Sequence, residues 1–337
     1  MTAHVDVTRD QILGFRLGST GLVGRSHGGR ESLVEAARAG LSDSMPRAAV
    51  LSLHARVEGV VPETLADRAL VQVWGPRFSA YAIAAEDVAV FTLGRHPTSA
   101  TGRDRAERLA ARLADHLGGD EVPYGEAGRA LGVHPNSLRY ATTTGTVLIR
   151  WDGARQPTIR CVPPPEVEAD DARLELARRY LHALGPGTPG MFGAWAGVRS
   201  GAASAVFAKL APELVPVRTP IGDGWALAGD EATLRASTTP DGGVRLLPSG
   251  DVFYLLWGDE RRLLVPDEER RPLLWTPRVW PGAVLAGGEV IGTWRRSGTR
   301  VTVAPWGDLA PELRRSVERE AVSLPVGGEV SVAWEPA

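Results

Sequence analysis

Residues 124–165, YGEAGRALGVHPNSLRYATTTGTVLIRWDGARQPTIRCVPPP, decide the reading of this chain. Glu126 to Leu131 predicts a short helix, and Gly132-Val133-His134-Pro135 is a turn that stops it. Asn136 is placed to cap a second helix over Ser137–Ala141, because its short polar side chain can accept a free first-turn amide. Two strands follow, Thr146–Trp151 and Thr158–Val162, joined through Asp152-Gly153, a hairpin signal between β-branched runs. Helix, tight turn, helix and β-ribbon together spell a winged helix-turn-helix. Between Ala127 and Pro165 stand Arg129, Arg139, Arg150, Arg155 and Arg160 against Asp152 alone, a net charge of +4. A cationic ribbon beside a helix is the electrostatic footprint of phosphate contact. The alternative is a small domain whose arginines only solvate its surface.

Working outward, two further stretches repeat this order. Upstream, Thr8–Leu17, Arg30–Ala39 and Pro46–Val57 read as helices, followed by a strand pair, Val71–Trp74 and Ala80–Ala84. Downstream, Asp171–Ala183, Met191–Ala196 and Ser200–Leu210 read as helices, with Leu214–Arg218 and Trp225–Ala228 as a wing. After Asp241-Gly242-Gly243 the character changes to short apolar or alternating runs bounded by Gly, Pro or Asp, which marks strands. These runs are Arg245–Leu247, Val252–Leu256, Arg262–Val265, Ala283–Leu285, Val290–Trp294, Arg300–Val303 and Val330–Trp334, with one amphipathic helix over Ala310–Ala321. The expected fold class is therefore α+β, mainly helical: three tandem winged-helix units over residues 1–98, 99–168 and 169–240, then a β-rich domain over 241–337. Six of the ten tryptophans fall in that last part, and five of them, Trp257, Trp275, Trp280, Trp294 and Trp306, read as large core contacts.

Composition sets the outer limits. With 43% apolar and 23% charged residues, the 337-residue chain is of the ordinary globular type. No segment approaches the roughly 20 apolar residues that span a bilayer, and MTAHVDVTRDQ lacks the order of a signal peptide. A lone cysteine, Cys161, excludes an internal disulfide or a cysteine-built metal site and reads as a buried structural thiol. The seven histidines show no metal-ligand spacing, so neither metal nor cofactor is expected. The chain reads as a cytoplasmic monomer with no membrane partner. The net charge of −2 argues mildly against a protein dominated by DNA, but the charge is uneven: residues 9–30 carry +3 while acid collects beyond Asp259. Arg25-Ser26-His27-Gly28-Gly29-Arg30 is basic and glycine-containing, suited to backbone contact with phosphate, or else a plain surface loop.

At this point the chain resembles the AlkZ/YcaQ-type winged-helix proteins, bacterial DNA glycosylases and their relatives. The resemblance is carried by Gly40-Leu41, Pro46-Arg47-Ala48-Ala49, Leu53-His54-Ala55-Arg56, Pro76-Arg77-Phe78-Ser79 and Ala85-Glu86-Asp87. It continues through Leu176–Leu181, Gly185-Pro186, Leu246-Leu247-Pro248 with Asp251, and Val290–Trp294. It implies a concave duplex-binding face, double-stranded DNA, alkylated DNA included, as partner, and excision of N7-alkylated purines, some bulky or crosslinked, without a metal. In the family a Gln-aliphatic-Gln or Gln-aliphatic-Asp motif just after the Gly-Leu holds the attacking water while the sugar gains oxocarbenium character. The matching positions here are Ser42-Asp43-Ser44, each glutamine shortened to serine, with a carboxylate where the aliphatic residue stands.

The expected site residues follow: Ser42, Asp43 and Ser44 for catalysis, and Arg25, Arg30, Arg56, Arg77, Arg139, Arg150 and Arg155 for DNA. A competing structural role for the trio is the cap of the helix that Pro46 opens. His54 is expected to line the core or, if it faces the groove, to touch phosphate. The rival functions are a non-catalytic DNA-binding regulator or lesion sensor and, from another class, a winged-helix protein scaffold that binds no nucleic acid.

Overall fold

Thr8 closes the first helix at its start. Its hydroxyl accepts from the Gln11 amide (3.2 Å), and the Gln11 side chain returns to the Thr8 amide (2.9 Å). This reciprocal bonding satisfies two of the amides that a helix leaves free at its N-terminus. The structure, a computed structural model, describes residues 4–45, 47–152, 156–239 and 243–336.

The chain opens with β1 (Val5–Asp6), α1 (Arg9–Ser19), α2 (Arg30–Ala37), β2 (Leu41–Ser42) and α3 (Ala48–His54). The hairpin β3 (Leu70–Trp74) and β4 (Ala80–Ala84) follows, then α4 (Val88–Phe91). Next come α5 (Ala100–Leu117) and β5 (Val122–Pro123), and the stretch that opened the sequence reading gives α6 (Tyr124–Ala130), β6 (Val147–Arg150) and β7 (Thr158–Cys161). A third group holds α7 (Ala169–Leu184), α8 (Pro189–Ala196), α9 (Ser200–Leu210), β8 (Leu214–Thr219), β9 (Gly222–Leu227) and α10 (Glu231–Ala236). The last part holds β10 (Val244–Leu247), α11 (Glu260–Leu264), α12 (Arg271–Leu274), β11 (Gly282–Ala286), β12 (Glu289–Ser297), β13 (Arg300–Pro305), α13 (Pro311–Val322) and β14 (Ser331–Trp334).

The expected α+β class holds, and each of the three helix groups is followed by an antiparallel strand pair. The pairs do not stay apart, however. β3 meets β6 at Gln72 and Ile149, so the first two hairpins merge with β2 and β5 into one six-stranded sheet, ordered β2-β4-β3-β6-β7-β5. The N-terminal β1 runs parallel to β8 and completes a three-stranded sheet with the third hairpin. The C-terminal part is a five-stranded sheet in sequence order, with α13 packed on it through Val317 and Ala321.

Three expected elements come out differently. The second helix of the opening stretch is a 3-10 run over Pro135–Thr144, entered by His134, whose Nδ1 accepts from the Asn136 amide in place of an Asn136 cap. Its tight pitch has a local cause. Thr142, Thr143 and Thr144 each turn the hydroxyl back to the carbonyl three residues earlier, at 2.7, 2.9 and 2.8 Å. Val252–Tyr254 is a 3-10 turn, with Asp251 accepting from the Phe253 amide, and Glu260–Leu264 is helical; both stretches had read as strands. Short apolar runs do not distinguish a buried strand from a buried turn of helix. Cys161 is half-buried on β7, not fully buried, with burial pushing its thiol pKa up.

What joins the first helices to the C-terminal part is a buried ion pair. Arg56, 2% exposed, donates through Nη1 and Nη2 to the two carboxylate oxygens of Asp251 (1% exposed), both at 2.8 Å. It also donates to the Thr20 and Ser52 carbonyls, and the Ser52 hydroxyl donates to Asp251 at 2.7 Å. Removing one member of such a pair strands the other charge, which costs about 3–5 kcal/mol. Asp251→Ala is expected to lower unfolding stability by about that amount in urea denaturation. A loss under about 1 kcal/mol would show that water reaches the vacated Arg56.

Candidate active site and nucleic-acid interface

The Ser42-Asp43-Ser44 segment continues an edge strand. Leu41 and Ser42 pair with Ala82 and Tyr81 of β4, and the Asp43 amide donates to the Ala80 carbonyl at 2.7 Å. The turn into this strand requires glycine at Gly40, where φ is +74° and a Cβ would lie 2.6 Å from the Phe91 ring. Alternation along an extended chain then sends Ser42 and Ser44 to one side and Asp43 to the other. The two serine hydroxyls lie 3.3 Å apart; Ser42 is buried and Ser44 is exposed.

Asp43 faces inward. Oδ1 accepts from the Ala49 amide in the first turn of α3 (3.0 Å), and Oδ2 accepts from Gln72 Nε2 (2.8 Å). Gln72 continues the relay, taking a bond from the Trp151 amide at 2.7 Å and giving one to the Trp151 carbonyl at 3.1 Å. One carboxylate thus ties the motif segment to α3, and through Gln72 to the ends of β3 and β6. Burial pushes the Asp43 carboxyl up to about 6, against the lowering effect of the Ala49 amide, Gln72 and the Arg47 charge. The capping role weighed against catalysis is therefore occupied, by Asp43. The helix it caps starts at Ala48, after Arg47 in left-handed conformation (φ 65°); Pro46, expected to open it, lies outside the described residues. Beyond Ser44, Met45 borders a cavity of about 190 Å³ with Leu51, Trp280, Trp294, Arg295 and Arg296 along its walls.

The expected DNA-contacting arginines divide. Arg56 leaves the set, since its guanidinium is consumed in the buried pair with Asp251. Arg25 is held at the C-terminal end of α3, donating to the His54 carbonyl and to Glu320 (2.6 Å). His54 is core-lining: it is 9% exposed, bonds the Ser323 hydroxyl at 3.0 Å, and burial pushes its pKa down to about 4. Arg30 is exposed beside an open groove of about 640 Å³ that it shares with Glu31, Glu35, Arg38 and Glu86, a mixed rather than cationic lining. Arg77 and Arg139 come together at the Pro76–Phe78 turn. Arg139 donates to the Phe78 carbonyl at 3.2 Å and sits 5.7 Å from the Trp74 ring, while Arg77 donates to the Ala194 carbonyl and lies over Trp257. Arg150 is exposed at the end of β6. Arg155 lies outside the described residues.

Gln72 was missed by sequence reasoning, although a lone amide in the apolar strand LVQVW was a visible signal. Arg95, 6% exposed between Trp74 and Ala196, left no such signal. No helix among the described residues is long and apolar enough to cross a membrane, and no cluster of three metal-ligating side chains forms among them.

The family model described as DNA glycosylase AlkZ-like matches residues 34–324. An interstrand DNA cross-link repair glycosylase of Streptomyces sahachiroi is 26% identical over 167 residues, 49% of this chain and 45% of that protein. The match thus spans about half the length of that relative. The solved structure of the Streptomyces sahachiroi DNA glycosylase AlkZ shares the fold, with a TM-score of 0.79 at 19% identity. That likeness covers 99% of this chain and 100% of the other.

The titration of Asp43 has a defined sign. The unfolded carboxyl releases its proton near 3.8 and the folded one near 6, so the folded state holds the proton longer. The resulting stabilisation is fully present below the unfolded value and is lost as pH rises through 6. Relative to Asp43→Asn, the parent is expected to lose roughly 3 kcal/mol of stability between pH 4 and pH 7. Urea denaturation of both proteins across that range reads it; a flat difference would mean that Asp43 is solvated in the folded state.

Proposed function

This chain belongs to the AlkZ-like DNA glycosylase family, and on that premise we propose that it binds double-stranded DNA and hydrolyses the N-glycosidic bond of an alkylated base. The observation that supports catalysis is the serine hydroxyl pair, 3.3 Å apart, at the family's motif position. Ser42 and Ser44 take the place of the two glutamine side chains and hold the attacking water between them. Ser44, the exposed member, meets the lesion sugar, and Asp43 keeps the pair in place from behind. Serine is shorter than glutamine, so the sugar must approach closer to the strand than in relatives that carry glutamine. The substrate class is an N7-alkylpurine, including the bulky or crosslinked lesions suggested by the relative's name. The three groups of helices with their hairpins act as winged-helix units, with the division of the chain at residues 98, 168 and 240, and Arg77, Arg139 and Arg150 contact the duplex.

A second reading, binding without excision, draws on one observation: both oxygens of Asp43 are engaged within the protein, so no carboxylate of the motif faces outward. Incubation with duplex carrying a single N7-alkylguanine, followed by heating in alkali, separates the two. Strand cleavage at the lesion is expected, with Ser44→Ala slowing it about 10²-fold, the scale of a positioned polar group. Absence of cleavage by the parent protein would leave the binding-only reading standing.

Duplex binding itself is expected to be salt-sensitive and nearly independent of sequence. Arg150→Ala reduces the slope of log affinity against log salt by roughly one, since one phosphate fewer is neutralised. Affinity that is unchanged between low and moderate salt would exclude a phosphate-led mode.

A further inference from the structure

A second cavity, of about 340 Å³, shares no lining residue with the one beside Met45. It opens where the Pro76–Phe78 turn, the loop leading into α5, the Pro135–Thr144 turn and the start of α9 converge. Arg95 lies on its wall. The side chain is more than nine-tenths buried, with Nε donating to the Ala196 carbonyl and Nη1 to the Trp74 carbonyl, both at 3.0 Å. Among the described residues Nη2 has no hydrogen-bond partner and Arg95 forms no ion pair. Burying a guanidinium without a counter-charge is costly. Two carbonyl hydrogen bonds and the Phe78 ring offset part of that cost, and an anion in this cavity would offset the rest.

The rest of the lining has the same character. Arg105 and Arg199 are exposed at the cavity, with no carboxylate partner among the described residues. Of the carboxylates nearby, Asp170 binds Arg173 and Lys209, and Glu107 lies 3.5 Å from His96, whose pKa burial lowers. The first turns of two helices, α5 at Ser99 and Gly102 and α9 at Arg199 and Ala202, also face the cavity. The start of α9 has no side-chain cap, whereas at the start of α5 the Ser99 hydroxyl accepts from the Gly102 amide at 3.3 Å and leaves the earlier amides open. Helix N-termini of this kind carry free amides and a positive dipole end. Two aromatic rings complete the site. Phe78 and Tyr140 meet edge to face at 5.0 Å, Arg95 lies 4.6 Å over Phe78, and Arg105 lies 4.8 Å over Tyr140.

We propose that this cavity is a binding site for a nucleoside monophosphate unit, distinct from the excision site. The phosphate is held by Arg95, Arg105, Arg199 and the two helix N-termini, and the base packs against Phe78 and Tyr140. Guanidinium groups match phosphate geometry, aromatic faces accept any base, and the volume lies in the range of a small-molecule site. The unit comes either from a free mononucleotide or from the 5′-phosphorylated end of a strand.

Calorimetric titration of the full chain with dGMP, deoxyguanosine and inorganic phosphate tests the site. Saturable 1:1 binding of dGMP is expected with Kd below about 1 mM, deoxyguanosine and inorganic phosphate each binding at least about tenfold more weakly. Arg105→Ala with Arg199→Ala, both exposed and so harmless to the fold, weakens dGMP about tenfold or more, the scale of one or two charge-assisted bonds. Tyr140→Ala weakens dGMP while leaving phosphate binding unchanged. Preference for a 5′-phosphorylated oligonucleotide over its 5′-hydroxyl form supports a strand end as the natural source; dGMP binding without that preference supports the free nucleotide. The proposal is overturned if dGMP does not saturate, if the double variant binds it as the parent does, or if inorganic phosphate binds equally well. Excision at Ser42 and Ser44 is read separately, so either proposal can fail without the other.

Discussion

The bidentate contact between Arg56 and Asp251 spans 195 positions of sequence inside the protein, and the geometry of the candidate site depends on it. Burial alone would raise the Asp251 carboxyl, but the Arg56 charge and hydrogen bonds outweigh it and hold the group below its ordinary value. The same carboxylate accepts from Ser52 and from the Phe253 amide, so it fixes α3 and starts the Val252–Tyr254 turn at once. That turn carries Tyr254, whose hydroxyl lies 2.7 Å from the Pro248 carbonyl and 2.8 Å from that of Pro281, with one proton to share between them. Since α3 begins just after the motif segment, the ion pair helps to place Met45 beside the cavity lined by Trp280 and Trp294. The candidate site is therefore assembled between distant parts of the chain rather than carried by one unit.

Within that frame Asp43 is a structural latch. A solvated carboxylate at a motif position could orient water, but this one is 1% exposed and spends both oxygens on Ala49 and Gln72. Its raised pKa follows from desolvation, and a group kept from water is also kept from substrate. On the proposed reading the chemistry falls to the two serines, and their short side chains set the demand on how near the sugar must come.

Much of the fold could be read from local signals. Thr8 with Gln11, Thr188 before Pro189, and the β-branched hairpins each carry their instruction within a few residues. The readings that failed depended on information the local pattern does not hold. Three consecutive threonines choose a 3-10 pitch through their own hydroxyls, and the apolar runs near Val252 and Leu263 are buried on every side, which erases periodicity. The merging of two hairpins rests on a single long-range pairing of Gln72 with Ile149. In the candidate site, the position of the trio on the chain was legible, but which way each side chain points was decided by the strand register with β4. Charge counting was the weakest guide, because it treats every arginine as surface.

Several arginines are not on the surface at all. Arg16, Arg56, Arg95 and Arg173 are each at most 6% exposed. Each donates to a carbonyl distant in sequence: Arg16 to Gly185, Arg56 to Thr20, Arg95 to Trp74 and Ala196, and Arg173 to His96. Thr20, Gly185 and Ala196 stand at the ends of α1, α7 and α8, where a helix leaves carbonyls without partners inside itself. A guanidinium offers five donors in a fixed plane and can hold two such ends together, which a lysine ammonium on a flexible stem does less well. The chain has a single lysine, Lys209, and its arginines serve as joints between the helix groups. Of these joints, Arg56 has its charge fully met, Arg16 faces Glu260 at 3.7 Å, and Arg173 binds Asp170. Arg95 alone among the four lacks a carboxylate partner in the described structure, and it borders the same open cavity as Arg173, whose charge Asp170 meets. An internal charge left uncompensated beside an opening is the arrangement expected where the compensating anion arrives from outside.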